Sequence, residues 1–364
     1  METSYTVQDV LNQFGIDLPA NSFGNGHINS TYIVETDPKC ILQRVNTDIF
    51  RHPDQVMENI AAVTEHLRRK ILAAGGDPQR ETLTLLPTLD GKPYYTAPDG
   101  SCFRLYRFIE GTVSYDTAET PELFAASARA FGKFQKMLAD FPSEKLYETI
   151  PNFHNTSDRL NNFRASVAAD KSGRAASVQA EIDFVLARAD EVSRVTDAIA
   201  DGSVPLRVTH NDTKLNNVML DPVTGEGVCV IDLDTVMPGS LLYDYGDSLR
   251  FGASTGAEDE QDLSKIHFDL TYFEAYTDAF LSELADSITP KEVELLPFSA
   301  KLMTLECGMR FLADHIDGDT YFRIHRENQN LDRCRTQFKL VADMESKMDE
   351  MNAIVKKCCQ KYGI

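Results

Sequence analysis

The sequence has no tryptophan, no CxxC pair and no uninterrupted apolar run near the ~18 residues a membrane span needs, and it is poor in basic residues. Each absence removes a class of function. Without tryptophan, the chain lacks the side chain that best cages a quaternary ammonium ion. The seven cysteines, at 40, 102, 229, 307, 334, 358 and 359, are odd in number and scattered. That suggests neither a disulfide framework nor a zinc site, and points to reduced thiols in the cytoplasm. The vicinal Cys358 and Cys359 read as incidental. Lys and Arg total 36 against 56 Asp and Glu, for a formal net charge of −20. No nucleic-acid partner is expected, because that binding needs a basic footprint, and no docking on anionic membranes. An anionic ligand remains possible where a metal ion supplies local positive charge. The opening METSYTVQDVLNQFGIDLP has neither a basic segment nor an apolar stretch, so no secretory signal is expected.

The 364 residues suffice for two domains of roughly 150 residues each. A content of 42% apolar and 25% charged residues is that of an ordinary globular protein. A short helix is expected over 5–14. GNGHINSTYIVET (24–36) begins with glycines and turns β-branched and aromatic, as a loop feeding a strand does, and CILQRVN (40–46) reads as the next strand. Residues 53–76 open with Pro-Asp, close with Gly-Gly and place Val56, Ile60, Val63 and Leu67 at helical spacing. Alternating runs split by Asp-Gly turns over 82–111 predict a hairpin and one more strand. Beyond Gly111 the pattern turns helical, over 121–141, 177–202, 264–287, 290–315 and 328–359. The expected fold is therefore α+β: a small antiparallel sheet with one helix over 1–108, and a larger, mostly α-helical part over 109–364.

Two short strands interrupt the helical part, and chemistry-bearing residues gather at their ends. VML (218–220) and VCVI (228–231) are separated by DPVTGEG, which is turn chemistry. An antiparallel hairpin sets the start of its first strand beside the end of its second. Asn217 precedes the first strand and Asp232 follows the second, so folding brings two hard oxygen ligands together. Mg²⁺ is commonly held by one or two such ligands plus substrate phosphates. Asp212 lies five residues before Asn217, on the loop entering the hairpin, with His210 to brace that loop. H-x-D-x-x-x-x-N is the spacing of a kinase catalytic loop, in which the Asp accepts a hydroxyl proton and the Asn holds metal. Asp232 then takes the place of the second metal-binding carboxylate.

A rival reading takes VCVIDLDTV as the motif of haloacid-dehalogenase-like phosphatases, with Asp232 the nucleophile and Asp234 the acid/base. That motif opens a parallel α/β domain, and no run of βαβ units is visible here. A third reading, a non-catalytic binding module with a kinase-like fold, predicts loss of Asp212, Asn217 or Asp232, and all three are present.

THNDTKLNNVML and IDLDTVMPGSLLYDYGDSLRFGAS, with Gly24–Asn29 and LLPFSAKLMTLECGMRFLADH (295–315), resemble the aminoglycoside phosphotransferase and choline kinase superfamily, and within it the N-acetylhexosamine-phosphorylating members. The resemblance runs along nearly the whole chain. It implies a bilobal protein-kinase-like fold and ATP- and Mg²⁺-dependent phosphorylation of the anomeric C1 hydroxyl of GlcNAc or GalNAc. Kinases of the same fold also act on choline, aminoglycosides and other sugars. By the resemblance Asp212 is the general base, and Asn217 and Asp232 are the metal ligands. Tyr106, Phe108 and Ile109, in RLYRFIEG (104–111), border the adenine. His27, Phe251, Arg310 and Tyr321 match positions lining the sugar pocket. The chain departs from the pattern where a strand lysine would contact the phosphates. CILQRVN offers Gln43 and Arg44 there, and either can reach a phosphate. Asp244 and Asp247, in YDYGDS, are expected to cap a helix rather than to do chemistry.

Overall fold

The computed structural model describes residues 5–24 and 28–364. In chain order the strands are β1 (Ala20–Ser22), β2 (Ser30–Val34), β3 (Cys40–Val45), β4 (Leu85–Leu86), β5 (Tyr95–Thr96), β6 (Cys102–Arg107), β7 (Arg207–Thr209), β8 (Val218–Leu220), β9 (Gly227–Val230) and β10 (Met237–Gly239). The longer helices are α1 (Val7–Asn12), α2 (Pro53–Ala73), α3 (Pro78–Glu81), α4 (Pro121–Met137), α5 (Thr156–Ala169), α6 (Gln179–Leu186), α7 (Arg194–Ala200), α8 (Leu241–Gly252), α9 (Leu270–Leu284), α10 (Pro290–Asp317), α11 (Gln329–Ser346) and α12 (Met348–Tyr362).

The chain packs as two units. The first comprises residues 1–114, 140–151 and 217–238, and the second 115–139, 152–216 and 239–364. The sequence reading draws one cut after residue 108. The packing instead groups the hairpin β8–β9 with the N-terminal sheet, because Val113 and Leu220 pair backbone to backbone in both directions, at 2.9 and 2.8 Å.

The first unit is built on an antiparallel sheet of order β1-β2-β3-β6-β4, with β5 also pairing to β6. Strand side chains alternate between faces. Leu42 of β3 with Phe103 and Leu105 of β6 joins Val10, Leu11 and Phe14 of the N-terminal segment in one apolar cluster. The residues between them, Ile41 and Gln43 of β3 and Arg104 and Tyr106 of β6, line a pocket. Helix α2 starts with proline at its first turn, as expected, and buries Val56, Ile60, Val63, Leu67 and Ile71. Its buried Asn59 donates to the carbonyls of Tyr147 (2.8 Å) and Val236 (3.0 Å) and accepts from the Tyr147 N–H, tying three segments of the unit together.

The second unit centres on α10, 28 residues long and thus roughly 40 Å. Thr289 and Glu292 form a capping box at its start, and Gly318 ends it in the left-handed conformation at φ 99°. Helices α5, α8, α11 and α12 pack on it, and α4 packs on α9. A core of Phe163, Val185, Leu305, Leu312, Ile316 and Phe338 fills the space between α5, α6, α10 and α11. Three helical expectations change. Residues 177–202 hold α6 and α7 with 3₁₀ turns rather than one helix, and 328–359 is broken at Lys347 into α11 and α12. YDYGDS lies inside α8, whose N-cap is Ser240, so Asp244 and Asp247 do not cap it. Among the described residues, no helix is long and apolar enough to cross a membrane.

Gly246 marks a close approach of α8 to α10. A Cβ there would stand 2.5 Å from the Ser299 carbonyl oxygen and 2.7 Å from Met303 Cγ. Because backbone cannot step aside cheaply, Gly246→Ala is expected to cost about 1–3 kcal/mol and to lower Tm by several degrees. Thermal melts of the purified variant against wild type check this, and an unchanged Tm contradicts the packing described.

Candidate active site

Strand β7 delivers the chain into the loop 210–213, and each residue there is fixed by a neighbour in the same unit. His210 is fully buried, edge-on to the rings of Phe131 (5.5 Å between centroids) and Phe134 (6.0 Å). Its Nδ1 accepts the Asp212 N–H at 3.3 Å, which gives the expected brace its atoms. Asp244, 1% exposed on α8, accepts the N–H groups of His210 (2.9 Å) and Asn211 (2.7 Å) and a bond from Gln135 Nε2. Burial pushes the Asp244 carboxyl above its usual range, against the pull of His210 and the backbone donors. Thr213 Oγ1 donates to the Asp244 carbonyl, and Ser248 Oγ to the Thr213 carbonyl. Asn211 is left-handed at φ 65°, a conformation Asn tolerates better than most residues. The half-buried Asp212 pairs with Lys214 at 2.7 Å. Burial pulls the Lys214 ammonium toward neutrality, but the charge and hydrogen bond of Asp212, with the Asp247 charge, together raise the amine above its usual range.

In the first unit, a pocket of about 220 Å³ is lined by Phe23, Thr31, Gln43, Arg104, Tyr106, Phe108, Ile109, Asn217, Met219 and Asp232, among others. The hairpin register Val218↔Val230 and the Ile231 N–H bond to the Asn217 carbonyl (2.9 Å) bring Asn217 and Asp232 together, as their places in the hairpin predict. Asn217 is buried, whereas Asp232 is exposed and left-handed at φ 58°. A non-glycine residue held there signals local strain of the kind found at functional sites. Among the described residues no group of three or more His, Cys, Asp or Glu is placed to hold a metal. One amide and one carboxylate oxygen, completed by phosphate oxygens and water, is instead a donor set suited to Mg²⁺.

Tyr106, Phe108, Ile109 and Gln43 thus line one pocket, and Arg44 does not. One residue beyond Gln43 on a strand, Arg44 points to the other face, where its Nη2 donates to Ser101 Oγ at 2.7 Å and lies 4.0 Å from Asp99. Asp234, 4% exposed, accepts from Arg104 Nη1 and from Asn29 Nδ2 (2.7 Å). With both oxygens engaged it is poorly suited to the acid/base role the phosphatase reading requires. Burial pulls Arg104 toward its neutral form, and Asp234, with Tyr106 and Asp232, more than reverses that pull. Sequence reasoning missed Arg104; the signal was an arginine between apolar residues of a central strand, where a partner is obligatory.

The sugar-site candidates fall at several places in the second unit, and His27 lies outside the described residues. Phe251 lines a pocket of about 340 Å³ with Arg250, Glu258, Thr117, Ser254 and Gln337, whose Oε1 is buried without a partner. Arg310 does not pair with Asp314 but lies over the Phe322 ring, 5.4 Å from its centroid. Asp314 instead accepts the N–H groups of Thr320, Tyr321 and Phe322, at 2.8–2.9 Å, and so shapes the turn that carries the exposed Tyr321. Arg159, also missed, is held below its usual range by burial and then by the Arg310 charge. The buried Glu306 accepts from Thr156 Oγ1 (2.6 Å) and meets His154 Nδ1 at 2.9 Å, and Asp247 accepts from Arg250 Nε at 2.8 Å.

Burial raises the Glu306 and Asp247 carboxyls, but their partners, His154 with Thr156 and Arg250 respectively, outweigh it, and both end below the usual range. A carboxyl depressed on folding adds stability above its unfolded value and loses it as pH falls through the folded one. Glu306→Gln is therefore expected to lower Tm at neutral pH, with the gap to wild type closing as pH falls below about 4. Melts between pH 7 and 3 check this; a constant gap contradicts it.

A family model for phosphotransferase enzymes (APH) matches residues 20–282. Among solved structures, the chain is similar to a microcompartment-associated aminopropanol kinase, at 15% identity and TM-score 0.58, over 95% of this chain and 97% of that one. It is also similar to an aminoglycoside phosphotransferase from Alicyclobacillus acidocaldarius, at 12% identity and TM-score 0.61, over 100% and 98%. A third similar structure is an amicoumacin kinase in complex with AMP-PNP and Ca²⁺, at 13% identity and TM-score 0.57, over 94% of each chain. At such identities the likeness speaks for the fold alone, which is α+β and kinase-like.

Proposed function

Because the chain belongs to the phosphotransferase enzyme family, whose model spans residues 20–282, we propose that it transfers the γ-phosphoryl group of ATP to the anomeric C1 hydroxyl of an N-acetylhexosamine, GlcNAc or GalNAc. The observation that carries the nucleotide half of this reading is the pocket that Tyr106, Phe108 and Ile109 share with Asn217 and Asp232. The acceptor half rests on the resemblance of the sequence around Asp212 and Arg310, and on Phe251 in a pocket rich in polar lining. Seven free cysteines are consistent with work in the cytoplasm.

In this mechanism Asn217 and Asp232 would hold Mg²⁺, which would supply positive charge against that of the transferring phosphoryl group. Asp212 orients the C1 hydroxyl and takes its proton as the new bond from oxygen to the γ-phosphorus forms and the bond from the β,γ-bridging oxygen to that phosphorus breaks, releasing ADP. Lys214 pairs with Asp212 across 2.7 Å, and His210 and Asp244 hold the loop in register. Substrate positioning falls to Arg310, Phe251, Tyr321 and His27.

An ATP-consumption screen across hexosamines, hexoses, choline, amino alcohols and aminoglycosides tests the acceptor. The expected result is turnover with GlcNAc or GalNAc and a sugar 1-phosphate product; selective turnover of an amino alcohol or aminoglycoside overturns the sugar reading while leaving the kinase reading in place. Asp212→Asn is expected to cut kcat by roughly 10²–10⁴-fold with ATP affinity retained. Near wild-type turnover in that variant contradicts the base assignment.

A further inference from the structure

In kinases a lysine on the strand equivalent to β3 grips the nucleotide phosphates, and β3 here carries none: its sequence is CILQRV, with Gln43 on the pocket face and Arg44 turned to the other. The neighbouring strand makes up the difference. In the β3–β6 register, Gln43 stands directly opposite Arg104. Arg104 donates from Nε (3.0 Å) and Nη2 (2.8 Å) to Gln43 Oε1 and from Nη1 to Asp234 Oδ1. It is 1% exposed yet lines the same pocket as Asn217 and Asp232. Resting on the kinase reading above, we propose that Arg104 is the cation that binds the nucleotide phosphates, held in place for that task by Gln43 and Asp234.

A guanidinium has five N–H groups in a fixed fork, and the three bonds named use three of them, so two remain for phosphate oxygens. A buried ion pair is a poor way to stabilise a fold, since apolar side chains of similar volume do as well or better; its retention in the wall of a pocket asks for another role. Tyr106, on the same face of β6 and lining the same pocket, sets its ring 5.2 Å from Arg104 Cζ, a favourable seat for the guanidinium. In a chain of net charge −20 the wall of a polyphosphate site needs positive charge of its own beside any bound metal. Asp234 has a second tie, to Asn29 Nδ2, and Asn29 Oδ1 in turn accepts the Asn46 N–H at 3.0 Å. Asp234 is thus a positioning residue that fixes Arg104 and the chain entering β2 with one carboxylate.

The test is calorimetric titration of ATP, ADP and adenosine, with Mg²⁺ present, into the full-length chain and into Arg104→Lys, Arg104→Met and Gln43→Ala. Wild type is expected to bind ATP more tightly than adenosine. Arg104→Met should weaken ATP and ADP by at least tenfold and leave adenosine unchanged, Arg104→Lys should fall between, and Gln43→Ala should weaken ATP a fewfold by freeing the guanidinium. Gln43→Ala keeps the ion pair, so it reports even where an Arg104 variant fails to fold. Equal losses for ATP and adenosine, or none in folded variants, overturn the proposal and leave Arg104 a structural residue. A wild-type chain that binds no nucleotide overturns the kinase reading itself.

Discussion

The Asp244 carboxylate underlies the reading of the second unit. It accepts the consecutive N–H groups of His210 and Asn211. Burying a backbone N–H unpaired costs about 1–3 kcal/mol, and Asp244 accepts two such groups around the left-handed Asn211. The charge on Asp244 is itself expensive to bury, which its raised pKa records. That cost is offset by three hydrogen bonds and yields a loop that presents Asp212 to the side on which Lys214 lies. The carboxylate is conspicuous in the sequence, inside YDYGDS, but its partner is a backbone, and backbone partners leave no trace in composition.

Asp234 performs the equivalent task in the first unit, with charged and amide partners instead of peptide N–H groups. IDLD thus divides its two acids between roles. Asp232, exposed and left-handed, faces the pocket; Asp234, buried and doubly engaged, holds that pocket's arginine. A motif reading that treats the two as a nucleophile and its acid/base partner does not fit these environments, nor the family to which the chain belongs.

The antiparallel sheet, α2 and the hairpin β8–β9 were legible because their signals are local: period-two alternation, a proline start, a Pro-Gly turn. Asn217 and Asp232 were legible for the same reason, since a hairpin brings its two ends together. The rest depends on long-range packing. The three-residue β1 carries too little pattern to stand out, and α8 hides behind two glycines, Gly246 against α10 and Gly252 against Phe124 of α4. At the break, Lys347 donates to the Phe268 carbonyl at 2.8 Å, a partner far away in sequence. Choosing between Gln43 and Arg44 required the strand's face, and finding Arg104 required the register of β3 on β6.

The central claim is that Asn217 and Asp232 hold a divalent cation together with a nucleotide. Electron paramagnetic resonance of Mn²⁺ with AMP-PNP tests this most directly, with wild type compared against Asn217→Ala and Asp232→Asn. The account predicts a protein-bound Mn²⁺ signal that requires the nucleotide and is lost or much weakened in both variants. A signal of wild-type strength in folded Asp232→Asn would contradict it.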